Sequence, residues 1–318
     1  MAKMALQWSD VIFTVRHGFW MKSRVILKNI NLDVPEGRVI GLVGPNGAGK
    51  TTTIKLGAGL LQPEFGKVLI HGRPATESGA RSCLGLLTES QYVYPHLRLR
   101  EWLMMMAGLS GLRGERRKQR VNDVLDLLDL TGQASQMMRT LSKGQVQRAG
   151  LAQALVHEPA ILLLDEPMSG LDPYWRYRVQ RILLEFKSSG GTILFSSHIL
   201  ADVERLSDCV VLIEGGRVRW TGSLADLPRK IKGYEAICRT EQPELLKKLA
   251  YGNKIEVRPE GGWIVPISTD KREDLLYLVS GGKITLDSLR PIQEEIEEVL
   301  FSFTSGSEDQ VSGVRWDD

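Results

Sequence analysis

The sequence has no hydrophobic run long enough to cross a membrane. Its longest apolar stretches, such as Ile161–Leu164, are far shorter than the roughly 18 to 20 apolar residues that span a bilayer. The first ten residues also lack the apolar core of a signal peptide. We therefore expect a protein that is cytoplasmic or peripheral to a membrane.

Cysteine and net charge are also scarce. Cys83, Cys209 and Cys238 are odd in number and far apart, and no histidine stands at ligand spacing from them, which excludes a disulfide framework and a zinc site. We expect them to be small, buried apolar residues. The 41 basic and 38 acidic residues leave a net charge of +3, which is too balanced to indicate a nucleic-acid binder. The remaining composition is that of an ordinary globular protein.

A glycine-rich segment follows the apolar run Val39–Val43 and precedes a helical pattern over residues 52–61. It fits the phosphate-loop pattern G-x-x-x-x-G-K-[ST] and comprises Gly44, Pro45, Asn46, Gly47, Ala48, Gly49, Lys50, Thr51 and Thr52. The glycines let successive N–H groups point into one concavity, to which the helix adds the positive end of its dipole. In this interpretation Lys50 binds the β- and γ-phosphates, Thr51 binds Mg²⁺, and Thr52 lies on the α-phosphate side. We expect Lys50 to have little packing role.

A second chemical segment is an apolar strand pattern that ends in two acids, Asp165 and Glu166. Buried parallel strands look like this where their carboxyl ends reach a ligand site. Asp165 is predicted to hold Mg²⁺ through water, and Glu166 to orient or deprotonate the attacking water. Taken alone, the pattern fits a plain strand end equally well, and the upstream phosphate loop favours the functional interpretation.

Between these segments, Leu141-Ser142-Lys143-Gly144-Gln145 resembles the LSGGQ signature of ABC-type ATPases, with Lys143 in place of the third residue. Residues 169–172 resemble the loop through which paired sites of that family touch, and His198 resembles its switch histidine. Alone, the signature segment is an ordinary helix cap, and a histidine after a strand is more often structural. The resemblance extends over residues 7–225.

The resemblance implies an ATPase that uses ATP and Mg²⁺. Ser142, Gly144 and Gln145 would contact the γ-phosphate held by a second nucleotide-binding subunit, identical or related. Transmembrane permease subunits would be the other partners, at the cytoplasmic face of the plasma (inner) membrane, and no nucleic acid is expected. The Leu87-Thr88-Glu89 segment with Tyr94-Pro95 and the Leu-Ser-Lys-Gly signature is most similar to the exporter branch known as ABC-2.

Two other functions are compatible with the motifs. One is a soluble ABC ATPase of translation or DNA maintenance, although such proteins usually carry two ATPase domains or a long coiled-coil insertion. The other is a module that binds ATP only as a structural ligand, which the presence of both Glu166 and His198 disfavours.

Two positions depart from the family pattern. The aromatic residue that usually stacks on adenine is replaced by Val15, so Phe19 or Trp20 is predicted to cover the base; these two residues fit a turn packed on the sheet or a membrane subunit nearly as well. Where the family places a glutamine that links Mg²⁺ and water to the helical subdomain, this chain has Glu89, with Gln91 two residues on. Glu89 is predicted to be the metal-sensing residue.

The order of patterns predicts an α/β protein with a P-loop NTPase core. An antiparallel lead-in (strand patterns at 11–15 and 25–32) and an inserted helical subdomain at about 89–158 complete an ATPase domain over residues 1–228. A β-α-β-β-α-β order predicts a small α+β domain over 229–304, in which Pro291 opens a last helix. Residues 305–318 are polar and expected to be disordered. The apolar cluster Trp102–Met106 is expected to be either subdomain core or a socket for a permease helix.

Overall fold

Three β-sheets organise the part of the chain that the computed structural model describes, which is residues 3–17, 22–90, 93–227, 229–251, 255–258, 261–294, 296, 298 and 299. Residues up to Ala225 belong to one compact unit, and residues from Asp226 belong to a second. Each unit contains its own cluster of buried apolar side chains.

The first sheet is antiparallel, with the strand order β2-β1-β4-β5. Its strands are β1 (Met4–His17), β2 (Lys22–Pro35), β4 (Phe65–Ile70) and β5 (Arg73–Pro74). The predicted antiparallel lead-in is confirmed, and both of its strands are longer than the patterns at 11–15 and 25–32 indicated. Trp8 of β1 is 1% exposed and packs beside Gly57, where a Cβ atom would lie 2.6 Å from the indole ring.

The central sheet has the order β10-β9-β3-β8-β7-β6, in which all neighbours are parallel except β10 and β9. The strands are β3 (Val39–Val43), β6 (Leu84–Leu87), β7 (Ile161–Asp165), β8 (Thr192–Ser196), β9 (Cys209–Glu214) and β10 (Arg217–Gly222). Strands β3, β7 and β8 are fully buried and adjacent. Their carboxyl ends meet at one edge of the sheet, where open α/β folds bind ligands.

The helices of this unit are α1 (Lys50–Gly57), α2 (Ser78–Arg81), α3 (Leu99–Leu109), α4 (Gly114–Leu127), α5 (Lys143–Leu155), α6 (Pro173–Ser188) and α7 (Leu200–Leu206). The pattern at 52–61 predicted a first helix that continues to Leu61, and that prediction is wrong. Gly59 has φ +65°, and a Cβ atom there would lie 2.1 Å from the Ala75 carbonyl oxygen. The chain therefore leaves the helix at a position that only glycine fills.

The apolar cluster at the start of the helical subdomain divides between two environments. Trp102 and Leu103 are 1% and 0% exposed and belong to the core, whereas Met104, Met105 and Met106 are half-buried. The core alternative is confirmed for Trp102 and Leu103, and the socket alternative stays a prediction for the three methionines.

The second unit has the predicted β-α-β-β-α-β order and an antiparallel sheet ordered β12-β13-β11-β14. Its elements are β11 (Ile231–Arg239), α8 (Pro243–Leu249), β12 (Glu256–Val257), β13 (Trp263–Ser268), α9 (Arg272–Ser280) and β14 (Thr285–Gln293). The alternating buried residues Ala236 and Cys238 of β11 and Val265 and Ile267 of β13 pack against Leu246 and Leu275 of the helices.

Pro291 does not open a helix. It lies within β14, opposite Tyr234 of β11, and β14 is an edge strand of the sheet. Proline lacks an N–H donor, and an edge strand tolerates it because one side of the strand needs no partner. The predicted disordered tail, residues 305–318, lies outside the described residues.

The cysteines differ in exposure. Cys209 and Cys238 are 3% and 0% exposed, and burial raises the pKa of each thiol to about 11. The expectation of burial is confirmed for these two, whereas Cys83 is half-buried, with a thiol pKa that burial also raises. All three therefore remain neutral thiols at physiological pH.

Candidate functional site

A cavity of about 460 Å³ lies at the carboxyl edge of the central sheet. Its volume falls in the range of small-molecule sites, roughly 300 to 1,000 Å³. It is lined by Arg24, Ile26, Asn46, Gly47, Ala48, Gly49, Lys50, Thr51, Thr52, Glu89, Asp165, Glu166, Ser169 and His198. Residues separated by more than 170 positions in the chain therefore line one cavity.

The phosphate loop forms one wall of the cavity. Two of its glycines lie so close to neighbouring atoms that a side chain would not fit. A Cβ atom at Gly44 would lie 2.0 Å from the Ile213 carbonyl oxygen, and one at Gly49 would lie 2.4 Å from Leu27 Cδ2. Gly49 is also the N-cap residue of α1, with φ +113° and no side chain to bond the first-turn N–H groups. Those donors are available to an anion, as the sequence predicted for a polyphosphate loop.

Lys50 is buried within the loop, with 7% of its surface exposed. Its Nζ donates to the carbonyl oxygens of Gly44 at 2.7 Å and Pro45 at 3.2 Å. Burial lowers the pKa of the Lys50 amine, and the carboxylates of Glu166, Asp165 and Glu89 oppose this shift. The expectation that this lysine has little packing role is wrong, because its ammonium ties the two ends of the loop together.

Asp165 and Ser196 form a buried pair at the ends of β7 and β8. The Ser196 hydroxyl donates to Asp165 Oδ1 at 2.6 Å and accepts the backbone N–H of Glu166 at 2.9 Å. Asp165 is 2% exposed, and its second oxygen, Oδ2, has no hydrogen-bond partner among the described residues. A buried carboxylate oxygen without a donor is costly, and a cation or ordered water satisfies it.

Glu166 and His198 are in direct contact across the ends of the same strands. Glu166 Oε2 lies 2.8 Å from His198 Nδ1, and the two side chains are 13% and 56% exposed. The Glu166 backbone has φ +51°, a left-handed conformation that costs a non-glycine residue about 1 to 3 kcal/mol. Such strain persists only where the surrounding structure holds the backbone in place. With this backbone conformation, the Glu166 side chain lines the cavity.

Comparison with known proteins identifies the family. The sequence profile of the ABC transporter family matches residues 27–169. An ABC transporter ATP-binding protein of Nostoc sp. is 38% identical over 298 residues, which cover 92% of this chain and 88% of the relative. This chain belongs to the ABC transporter ATP-binding proteins. It binds ATP and hydrolyses it, as an ATP-binding subunit of an ABC transporter.

Other relatives of this ABC protein support the assignment. A Nod factor export ATP-binding protein I of Cupriavidus pinatubonensis is 35% identical, over 64% of this chain and 63% of the relative. A solved structure described as the ATP binding subunit of an ABC transporter superimposes with a TM-score of 0.63 at 31% identity, over 70% of this chain and 91% of that one. The P-loop fold with its antiparallel lead-in is confirmed. No helix among the described residues is long and apolar enough to cross a membrane.

The site of this ABC protein fits Mg²⁺ as a partner of bound ATP. Among the described residues, no group of three or more histidine, cysteine or acidic side chains is arranged to hold a metal. Mg²⁺ in phosphate-transfer sites uses one or two carboxylates together with substrate phosphates, so such a group is not required. The unpaired Asp165 Oδ2 and the cavity residue Thr51 suit this arrangement.

Two residues that position Glu166 were not predicted from the sequence. One is Ser196, described above. The other is Gln147 of α5, which is 6% exposed and donates from Nε2 to the carbonyl oxygens of Glu166 and Pro167, each at 3.0 Å. A polar residue that ends the apolar strand β8 is a usable sequence signal for Ser196. Nothing in the sequence distinguishes Gln147 from its neighbour Gln145.

The signature residues lie away from the cavity. Ser142 is the N-cap of α5, as predicted: its Oγ accepts the Gln145 N–H at 3.3 Å, and the Gln145 side chain accepts the Ser142 N–H at 2.8 Å. A Cβ atom at Gly144 would be 3.5 Å from the Gly170 carbonyl oxygen, so this glycine faces the loop that follows Glu166. Their predicted role toward a second subunit stays a prediction.

The two departures from the family pattern have different outcomes. Glu89 lines the cavity, as a metal-sensing residue must, whereas Gln91 lies outside the described residues. Phe19 and Trp20 also lie outside the described residues, so the prediction that they cover adenine stays a prediction. Arg24 and Ile26 of β2 line the cavity, and neither was predicted from the sequence.

Proposed function

We propose that this subunit powers an exporter, with separate transmembrane permease subunits, at the cytoplasmic face of the plasma (inner) membrane. It pairs with a second ATP-binding subunit, identical or related, and ATP bound between the two closes the pair. The observation that carries the ATP-driven part of this proposal is the convergence of the phosphate loop, Asp165, Glu166 and His198 on one cavity. A site that only held ATP as a structural ligand would not need the Glu166–His198 contact.

In this proposal each side chain has one task. Lys50 would leave the carbonyls of its loop and bind the β- and γ-phosphates of ATP. Thr51 and Asp165 would hold Mg²⁺, which would supply positive charge beside the phosphates. Glu166 takes a proton from the attacking water, and its strained backbone keeps the carboxylate aimed at the cavity. His198 orients Glu166 through the 2.8 Å contact.

A groove of about 400 Å³ supplies a candidate docking site for the permease. It lies between the core and the helical subdomain and is lined by Lys55, Leu60, Leu86, Thr88, Trp102, Met106 and Gln153. Leu60 is 57% exposed, and Met106 supplies an adaptable apolar surface. Thr88 lines the groove, and the next residue in the sequence, Glu89, lines the nucleotide cavity. A permease helix bound in the groove would therefore contact a residue adjacent in sequence to one that lines the ATP site.

The exporter assignment rests on a relative and on the helical subdomain. The Cupriavidus relative is by name an export protein. The helices described between the phosphate loop and the signature segment are at most 14 residues long. They are too short for the long coiled-coil insertion that is usual in soluble ABC ATPases of DNA maintenance.

We expect an integral membrane protein to co-purify with the tagged subunit from detergent-solubilised membranes, identified by mass spectrometry. Leu60→Asp should abolish this association, because it places a charge in the apolar groove. Leu109→Asp is the matched control: Leu109 is 78% exposed on α3 and does not line the groove. Recovery of ribosomal or DNA-repair proteins in place of a membrane protein would show that the exporter proposal is wrong.

A further prediction concerns coupling of hydrolysis to transport. Glu89 lines the ATP cavity and stands between β6 and the helical subdomain. Glu89→Ala should therefore retain substantial ATPase activity in the isolated subunit while abolishing export by the assembled transporter. Glu89→Gln should preserve both, because it keeps a metal-capable oxygen and removes a charge that repels phosphate.

The measurements are ATP hydrolysis by the isolated subunit and substrate export by reconstituted complexes that contain the same variant. Gln91→Ala is the comparison variant, since Gln91 is the other candidate for the linking residue. Normal export by Glu89→Ala together with uncoupled Gln91→Ala would assign the role to Gln91.

A further inference from the structure

The nucleotide cavity has no phenylalanine, tyrosine or tryptophan among the described residues that line it. Adenine needs a flat partner, and the position where the family supplies a ring is Val15 in this chain. Val15 lies directly opposite Arg24 in the register of β1 and β2. Strand β2 therefore brings a guanidinium group to the same place in the sheet.

Strand β2 is held against the phosphate loop over several contacts. The Lys28 N–H donates to the Gly216 carbonyl at 2.7 Å, and the Gly216 N–H donates to the Ala48 carbonyl at 3.1 Å. At Gly49, a Cβ atom would lie 3.7 Å from the Ile26 carbonyl oxygen. Backbone contacts therefore fix the distance between β2 and the phosphate loop.

Arg24 and Ile26 of β2 both line the cavity, on either side of Val25. Two residues of a strand span about 7 Å, so Arg24 lies one such step beyond the residue that adjoins the loop. With the α-phosphate on the side of Thr52, as the phosphate-loop pattern predicts, the base of ATP would lie beyond it. Arg24 is exposed, and no acidic partner for it is found among the described residues.

We propose that Arg24 is the residue that stacks on adenine, with Ile26 as an apolar wall beside it. A guanidinium group is planar and weakly hydrated and stacks on π systems, so it can take the place of a ring. This inference deepens the ATP-binding function described above and rests on it. Arg24 is a binding residue and has no part in the chemical step.

The test compares the affinities of MgATP and of magnesium tripolyphosphate, which has the phosphates without the base, by calorimetry. The ratio of the two dissociation constants measures the contribution of the base. Arg24→Ala should weaken MgATP binding about five- to tenfold and leave tripolyphosphate binding unchanged. Arg24→Tyr should restore MgATP affinity, because it supplies a ring, and Arg24→Lys should not, because it keeps the charge without the plane.

Arg16→Ala is the matched control: it removes one exposed cation from the adjoining strand at a position that does not line the cavity. Equal weakening of both ligands by Arg24→Ala, rescued by Arg24→Lys, would make Arg24 a phosphate ligand and overturn the proposal. The proposal would also be overturned if a Phe19→Leu, Trp20→Leu double variant bound MgATP no more tightly than tripolyphosphate while Arg24→Ala had no effect. If wild-type protein bound neither ligand, the nucleotide site itself would be in error.

Discussion

Glu166→Gln should reduce ATP turnover about 10²- to 10⁴-fold, the range that general-base catalysis contributes, while ATP still binds. The amide has nearly the same size as the carboxylate, so it can occupy the same position near His198 Nδ1, but it cannot take a proton from water. Without hydrolysis the ATP-bound pair of subunits should accumulate. Steady-state phosphate release and gel filtration with MgATP measure the two effects.

Glu64→Gln provides the control for this experiment, because Glu64 is an exposed acid that does not line the cavity. It should leave turnover and elution volume unchanged. Undiminished steady-state hydrolysis by Glu166→Gln would remove Glu166 from the mechanism.

Lys50→Ala should weaken ATP affinity by about 1.5 to 3 kcal/mol, the cost of a lost hydrogen bond to a charged group, or about one to two decades in the dissociation constant. Because Lys50 also ties the loop through Gly44 and Pro45, some of this loss can come from a looser loop. Lys50→Met keeps much of the buried stem and removes only the ammonium. Calorimetry on both variants separates the two contributions.

If the charge matters most, Lys50→Met and Lys50→Ala should lose similar affinity. Thermal unfolding without nucleotide is the accompanying measurement, and Lys50→Ala should unfold at a lower temperature than Lys50→Met because it also loses the packed stem. Wild-type ATP affinity in both variants would contradict the phosphate-loop interpretation.

The functional residues that could be predicted from the sequence belong to short contiguous motifs. The phosphate loop, Asp165 with Glu166, and His198 each follow an apolar strand pattern, and parallel strands bring their carboxyl ends to one edge. Their convergence on one cavity follows from that rule. Their individual roles still depend on the mutational tests.

The residues that were not predicted depend on which elements become neighbours. Ser196 bonds Asp165 only because β7 and β8 are adjacent, and Gln147 reaches Glu166 only because α5 packs beside that strand end. Arg24 enters the cavity through the register of β2 on β1. Pro291 was misread for the opposite reason: its local preference for a helix start was outweighed by pairing of β14 with β11.

The contact of Gln147 with the Glu166 carbonyl connects helix α5 directly to the residue proposed as the general base. Gln147 lies five residues after the capping Ser142, or about 7.5 Å along the helix. Its side-chain amide donates to the backbone carbonyl of Glu166, the proposed general base. A second subunit in contact with the exposed start of α5 would therefore act on Glu166 through Gln147. In a pair of subunits, the position of Glu166 in one would therefore depend on how the other contacts the start of α5.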